Sequence, residues 1–230
     1  MIVYENTLSA TFLCRNNRFT AQVLIDGREE TVHVKNTGRL RELLVPGAKV
    51  TLQRTNNPKR KTACDLISVY KEDLGWINID SLVPNALMKL ELERESYDLV
   101  RPEYTFGDSR FDFYMERDGR KYLREVKGCT LAADIEAGIG SFPDAPTERG
   151  VKHLRELAKA AGEGYDCSIA FVIQMNGIHR VIPNDQTQPE FGRALAEAEK
   201  AGVKVLHYSC HVEADRIEIK KQRAKTAPCH

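Results

Sequence analysis

Net charge is what this chain has least of. Among its 230 residues, 34 Lys and Arg stand against 33 Asp and Glu, which leaves a formal charge of +1. A global basic field is therefore excluded, and any hold on a polyanion must come from local patches. Long apolar runs are absent as well. No stretch is long enough to span a bilayer, and the amino terminus lacks a charged-then-apolar secretory pattern. A cytoplasmic protein with no membrane contact is expected. Six cysteines lie at positions 14, 64, 129, 167, 210 and 229, with no CxxC pair among them. That spacing argues against zinc and for free thiols in a reducing compartment. Cys210-His211 and Cys229-His230 are bare pairs without a spaced partner. No internal repeat or low-complexity linker is visible.

What is present has two rhythms. Up to about Asp80, short strands alternate with turn residues: Ser9-Leu13, Phe19-Ile25, Glu30-Val34, Lys49-Arg54 and Asp65-Tyr70, with a short helix at Leu40-Leu44. Asp26-Gly27 is a hairpin turn, and Pro46-Gly47 stops the helix. Five short strands with a helix between the third and fourth predict an OB-type barrel, a fold often used on oligonucleotides. The remainder alternates helix and strand. Pro84-Asn85 opens a helix to about Glu95 with Leu87, Leu90 and Leu92 as core. A hairpin follows, then a helix from Thr147 to Ala161 with Val151, Leu154, Leu157, Ala158 and Ala161 as its buried stripe. Cys167-Gln174 is a continuous apolar strand, Glu190-Ala201 a helix and Val203-Tyr208 a strand. The expected fold is α+β in two domains: an OB-like small barrel over residues 1–83 and an α/β sandwich over 84–230. Lys220, Lys221, Arg223 and Lys225 form a basic tail that reads as a solvated end.

The hairpin carries the chemistry. From Arg110 to Gly128, Phe111, Phe113 and Met115 alternate on one arm, and Tyr122 and Val126 on the other. Asp118-Gly119 between them is a strong two-residue turn signal, because type I′ needs positive φ at both positions. With that loop, Arg117 faces Arg120, and counting back puts Asp112 opposite Glu125. The pair is non-hydrogen-bonded, with Cα atoms ~4.5 Å apart. Lys127 points to the same face as Glu125. Two opposed carboxylates repel unless something offsets them. Mg²⁺ or Mn²⁺ suits carboxylate oxygens, and Lys127, with Arg110 opposite it, adds positive charge. Acid, acid and lysine around such a cation form a site for cutting phosphodiesters, in which the lysine orients water or neutralises developing charge. A solvated hairpin with Asp112 paired to Arg110 or Lys127 fits the spacing equally well.

Several segments resemble the sugar fermentation stimulation protein A family over nearly the full length. They are Asn16-Asn17-Arg18-Phe19, His33-Val34-Lys35-Asn36-Thr37-Gly38-Arg39, Glu42-Leu43-Leu44, Pro46-Gly47-Ala48, Arg60-Lys61-Thr62, Pro84-Asn85, Ser109-Arg110-Phe111-Asp112-Phe113, Glu125-Val126-Lys127 and, most specific, the run from Phe142-Pro143-Asp144 to Gly150. The resemblance implies an OB-like first domain and a second domain like the PD-(D/E)XK nucleases. It implies DNA as partner and a regulatory role at sugar (maltose) utilisation genes, with or without cleavage. In nuclease terms, Asp112 matches the first acid, and Glu125 and Lys127 match the E-x-K element. Gly128-Cys129 departs from the Ser-Val of many relatives.

Other residues are weighed beside that resemblance. Arg149, His153 and Glu156 share one helix face away from the apolar stripe, where Arg149 can hold a phosphate and His153 can move a proton or bind DNA; a solvated polar face is the plainer reading. Asp144 and Thr147 are candidate caps of that helix. Glu91, Glu93 and Glu95 on the preceding helix are candidates for a third metal ligand. In the first domain, Arg15, Arg18, His33, Lys35, Arg39, Arg60 and Lys61 can line a nucleic-acid groove. Phe19 is either a stacking ring in it or part of the barrel core, and the core is the expectation. Asn36-Thr37-Gly38 is a chain turn or a cap. The function expected is that of a DNA-binding protein with a metal-dependent nuclease-type site. A non-cleaving DNA-binding regulator is the alternative.

Overall fold

Alternation of buried and open side chains builds the first sheet of the computed structural model, which describes residues 1–57 and 59–220. Its strands follow a short β1 (Ile2–Val3). They are β2 (Thr7–Arg15), β3 (Thr20–Ile25), β4 (Arg28–Val34), β5 (Lys49–Arg54), β6 (Cys64–Lys71) and β7 (Gly75–Asn78). In β3, Ala21, Val23 and Ile25 point inward while their neighbours stay part-exposed. The order is β4-β3-β2-β5-β6-β7, and β4 also pairs in parallel with β6. That last pairing closes five strands into an OB-like barrel, as expected. The helix expected at Leu40-Leu44 is instead a single turn, in which the Leu43 and Leu44 amides donate to the Leu40 carbonyl. Leu40 itself has φ +49°, outside the helical region, and Pro46 prevents continuation. The three leucines still bury themselves in the core.

The second unit runs α1 (Val83–Leu92), β8 (Leu99–Phe106), β9 (Ser109–Arg117), β10 (Arg120–Cys129), β11 (Leu131–Asp134), β12 (Ile139–Phe142), α2 (Glu148–Gly162), β13 (Asp166–Ile173), β14 (Arg180–Pro183), α3 (Pro189–Lys200), β15 (Lys204–Val212) and β16 (Arg216–Ile219). Its main sheet has the order β1-β16-β15-β13-β10-β9-β8, with β10, β13 and β15 parallel. β13 is buried along almost its whole length because helices or strands cover both faces. α1 packs on the face bearing Phe113, Met115, Val126 and Val172. α2 and α3 pack on the face bearing Phe111, Leu123, Ile169 and Phe171. This is the expected α/β sandwich. Leu87 and Leu92 are core residues of α1, while Leu90 is only half-buried and Met88 packs inside instead. Ile2 and Val3 belong to this sheet through β16, not to the barrel that surrounds them in sequence.

A buried polar network joins the two units. Lys35 Nζ lies 2.5 Å from Asp80 Oδ2, and the Tyr4 hydroxyl donates to the same oxygen at 3.2 Å. Gln174 Nε2 donates to Asn78 Oδ1 and to the Asp80 carbonyl. Asp80 Oδ1 accepts the Leu82 amide one residue before α1 begins. The network therefore fixes where α1 starts. Lys221, Arg223 and Lys225 of the tail, and Cys229-His230, lie outside the described residues.

Candidate functional site

The turn sets the register. Asp118 and Gly119 have φ of +51° and +72°, so Arg117 faces Arg120. The ladder then runs as counted, to Phe113↔Arg124. It ends one pair short of Asp112 and Glu125, and the reason lies on the other edge of β9. There the β8–β9 ladder passes from Pro102↔Phe113 to Tyr104↔Phe111 and leaves Glu103 and Asp112 out, with Glu103 at φ +54°. Across this irregularity Phe111 joins the α2 side while Phe113 stays on the α1 side. The expected alternation of Phe111, Phe113 and Met115 on one face is thus broken at Asp112.

Released from the ladder, Asp112 takes other partners. Its Oδ2 accepts the Val126 amide and its Oδ1 accepts Asn85 Nδ2 from the first turn of α1, both at 2.7 Å. Glu125 turns toward α2. Its Oε1 accepts Lys127 Nζ and bonds His153 Nδ1, both at 2.5 Å. Asp112 is thus held by Asn85 of α1 and Glu125 by His153 of α2, so different elements fix the two carboxylates. They still feel each other. Burial pushes the Asp112 carboxyl above its ordinary value, and the charge of Glu125 adds to that. Burial also pushes Glu125 up, but Lys127 and the hydrogen-bonded His153 outweigh it and hold this carboxyl below its ordinary value. Glu125 is 2% exposed, and among the described residues its Oε2 has no hydrogen-bond partner.

His153 is 4% exposed, not part of a solvated face. The buried stripe of α2 includes Gly150, His153, Leu154 and Leu157, so His153 sits at helical spacing within it. Its ring meets Phe111 edge-on at 5.7 Å, and its Nε2 accepts from Arg149 Nε at 3.4 Å. An accepting Nε2 leaves the proton on Nδ1, donated to Glu125. Arg110, Arg149, Lys152 and His153 line one cavity of about 640 Å³. Lys152 was missed in the sequence because an exposed helical lysine carries no distinguishing signal. Asn85 carries in sequence only the signal of a helix opener.

The glutamates expected as third ligands are elsewhere. Glu91 pairs with Arg94 at 2.5 Å, Glu93 lies 3.9 Å from Lys89, and Glu95 lies 3.9 Å from Arg124. Asn85 marks the end of α1 that meets Asp112, and a rise of about 1.5 Å per residue carries Glu91 roughly 9 Å further along. Among the described residues no three His, Cys, Asp or Glu side chains form a ready metal cage.

In the first domain four basic residues are already engaged. Arg15 donates to the carbonyls of Asn17, Arg18, Asn36, Gly38 and Arg39. Asp65 takes both Arg60 and His33, and Lys35 holds Asp80. Arg18, Arg39 and Lys61 are exposed. Phe19 is 55% exposed, which overturns its expected place in the core. Asn17 Oδ1 accepts the amides of Phe19 and Thr20, so the strand starts at Thr20 and Ala21 is the first residue inside. Asn36 turns its own loop by accepting the Gly38 amide. Thr147 caps α2 through the Gly150 amide, while Asp144 accepts the Arg39 amide across the domain junction.

Comparison with known proteins agrees with this architecture. The family model described as the sugar fermentation stimulation protein RE domain matches residues 79–216, and the SfsA N-terminal OB domain matches 13–79. A sugar fermentation stimulation protein homolog of Desulfitobacterium hafniense is 51% identical over 94% of both chains. The homolog of Clostridium beijerinckii is 48% identical over 94% of this chain and 96% of its own. A solved structure, Pyrococcus furiosus SfsA in complex with Ca²⁺, superposes with a TM-score of 0.84 at 26% identity, covering 95% of each chain. Among the described residues no helix is long and apolar enough to cross a membrane. With both domains matched in order and the relatives aligned almost end to end, the chain belongs to the sugar fermentation stimulation protein family.

Proposed function

We propose that this chain is a cytoplasmic DNA-binding protein that hydrolyses phosphodiester bonds at Asp112, Glu125 and Lys127 with the help of a divalent cation, Mg²⁺ or Mn²⁺. One observation carries the reading: the buried, anionic Oε2 of Glu125 has no hydrogen-bond partner among the described residues. A buried carboxylate oxygen without a donor is costly, and a hard cation is its natural partner. Asp112 supplies the second carboxylate. Two carboxylates fit Mg²⁺ chemistry, which usually leaves the remaining positions to water and substrate phosphate. The Ca²⁺ held by the Pyrococcus relative supports the same class of ion. When bound, such an ion polarises a phosphoryl oxygen and makes bound water more acidic.

The protein's own groups have defined parts. Asn85 and the Val126 amide orient Asp112. Lys127 sits on Glu125 Oε1, where its ammonium can orient water or offset charge that develops on a phosphate. His153 presents Nδ1–H to Glu125 and keeps Nε2 toward Arg149. Arg110 and Arg149 offer phosphate contacts that fix register rather than read bases.

The test is incubation of plasmid, linear duplex and single-stranded DNA with Mn²⁺ or Mg²⁺. Cleavage by the wild type, reduced at least ~10²-fold by Lys127→Ala, is expected, the scale for loss of one electrostatic stabiliser. Intact DNA in every combination would leave a regulator that binds and does not cut.

A further inference from the structure

Beyond the acidic site, the junction between the two domains carries a groove that no residue of the site explains. Two cavities, of about 370 and 420 Å³, lie there. They share Arg18, Thr37, Gly38, Ala145 and Pro146 in their walls, so they form one continuous depression. At one end the wall is Pro84 and Gly128, the chain neighbours of Asn85 and Lys127. At the other end it is Arg18, Arg39 and Arg41. All three arginines are exposed. None of the three guanidinium groups has an ion pair or hydrogen bond among the described residues, in contrast to Arg15 and Arg60 beside them.

We propose that this groove is a track for single-stranded DNA, leading from the Asp112–Glu125 site to the Arg18–Arg39–Arg41 pocket. It rests on the proposed function for its starting point and goes beyond it by naming the substrate form. The groove is a cleft of pocket size, roughly within the 300–1,000 Å³ of small-ligand sites, a scale suited to one strand taken nucleotide by nucleotide. Single-strand binders combine basic side chains along the backbone with an exposed ring for a base. Phe19, next in the chain to Arg18, is a ring 55% exposed. The loops that carry these groups are held in place. Arg15 gathers the carbonyls of both loops, 16–19 and 36–39. Asp144 then ties the second loop to the other domain through the Arg39 amide. Asp144 is the one carboxylate in the wall of the first cavity; that bond and the nearby Arg15 guanidinium balance its charge.

The experiment is fluorescence anisotropy of a labelled oligo-dT and of a duplex of equal length. The full chain carries Asp112→Asn so that cleavage does not intervene. Arg41→Ala is expected to weaken oligo-dT binding several-fold and to reduce the salt slope by about 0.7, the single-strand value per contact. Phe19→Ala is expected to weaken it about 5- to 100-fold with the salt slope unchanged, as for loss of a stacked base. Duplex affinity should move little. Wild-type oligo-dT affinity in both variants, or equal losses on duplex, overturns the track. Loss of oligo-dT binding in a protein whose parent cuts nothing with Mn²⁺ supports the track and removes the hydrolysis reading. Cleavage that is indifferent to Arg41 and Phe19 does the reverse.

Discussion

Glu125 shows how one residue can be both anchored and incomplete. Oε1 is held by Lys127 and His153, and among the described residues Oε2 has no donor. Mn²⁺ is therefore expected to raise the melting temperature, since an ion bound only by the folded state stabilises it by mass action. Asp112→Asn should remove that shift. Without metal, the variant should be as stable as wild type or more so, because burial and Glu125 already disfavour the Asp112 charge. Calorimetry with and without Mn²⁺ checks both; equal shifts in the two proteins would place the ion elsewhere. Asp65 behaves in the opposite sense. Burial pushes its carboxyl up, but hydrogen bonds from Arg60 and His33 outweigh this and hold it below its ordinary value. A lowered folded value means its contribution is present above the unfolded value near ~3.9 and is lost as pH falls through the folded one. Asp65→Asn should therefore flatten the acid limb of a stability–pH curve below about pH 4.

At the level of elements, α1 and α2 hold the two carboxylates, through Asn85 on Asp112 and His153 on Glu125. α2 depends on its cap: the Thr147 hydroxyl accepts the Gly150 amide at 3.0 Å. Thr147→Ala should cost about 1 kcal/mol in urea unfolding. The end of β10 depends on the absence of a side chain. A Cβ at Gly128 would lie 2.4 Å from Gln174 Oε1 and 2.8 Å from Pro84 Cγ. Gly128→Ala should cost about 1–3 kcal/mol, the usual range for overpacking. It should also lower cleavage more than stability, because Pro84 opens the helix that holds Asn85 against Asp112. Unchanged activity in a destabilised Gly128→Ala protein would show that α1 tolerates the shift.

Across the whole molecule, the two domains are joined by buried polar groups rather than by a linker. Breaking the Lys35–Asp80 pair from one side leaves a charge buried at a position only 2% exposed. Lys35→Met should cost about 3–5 kcal/mol, and Asp80→Asn added to it should recover much of that loss. A double-mutant cycle in chemical denaturation reads the coupling; additive losses would show that the pair acts independently of partner. With a net charge of +1, the proposed DNA affinity must come from local contacts and fall steeply with salt. Arg149→Ala should flatten that slope by about one unit on duplex DNA, and Arg39→Ala by about 0.7 on a single strand. A salt-independent affinity would rule out phosphate contacts as its source.

The sequence by itself determined what short-range rules control. The barrel strands, the hairpin with its Asp118-Gly119 turn, the Thr147 helix and the apolar β13 are all written in period and turn chemistry, which act over a few residues. So was the hairpin register from Arg117↔Arg120 to Phe113↔Arg124, because a two-residue loop fixes the count between the arms. Tertiary structure decided what depends on neighbours distant in sequence. The break in the β8–β9 ladder at Glu103 turned Asp112 toward Asn85, and no pattern within β9 announces a partner strand's irregularity. Packing against Phe111 and Glu125 drew His153 inside. The Asn17 turn put Phe19 outside. Arg15, Lys35 and Arg60, indistinguishable in sequence from Arg18 and Arg41, became structural once the fold brought carbonyls and carboxylates to them. A basic side chain is open to a ligand only where the fold has not already supplied its partner.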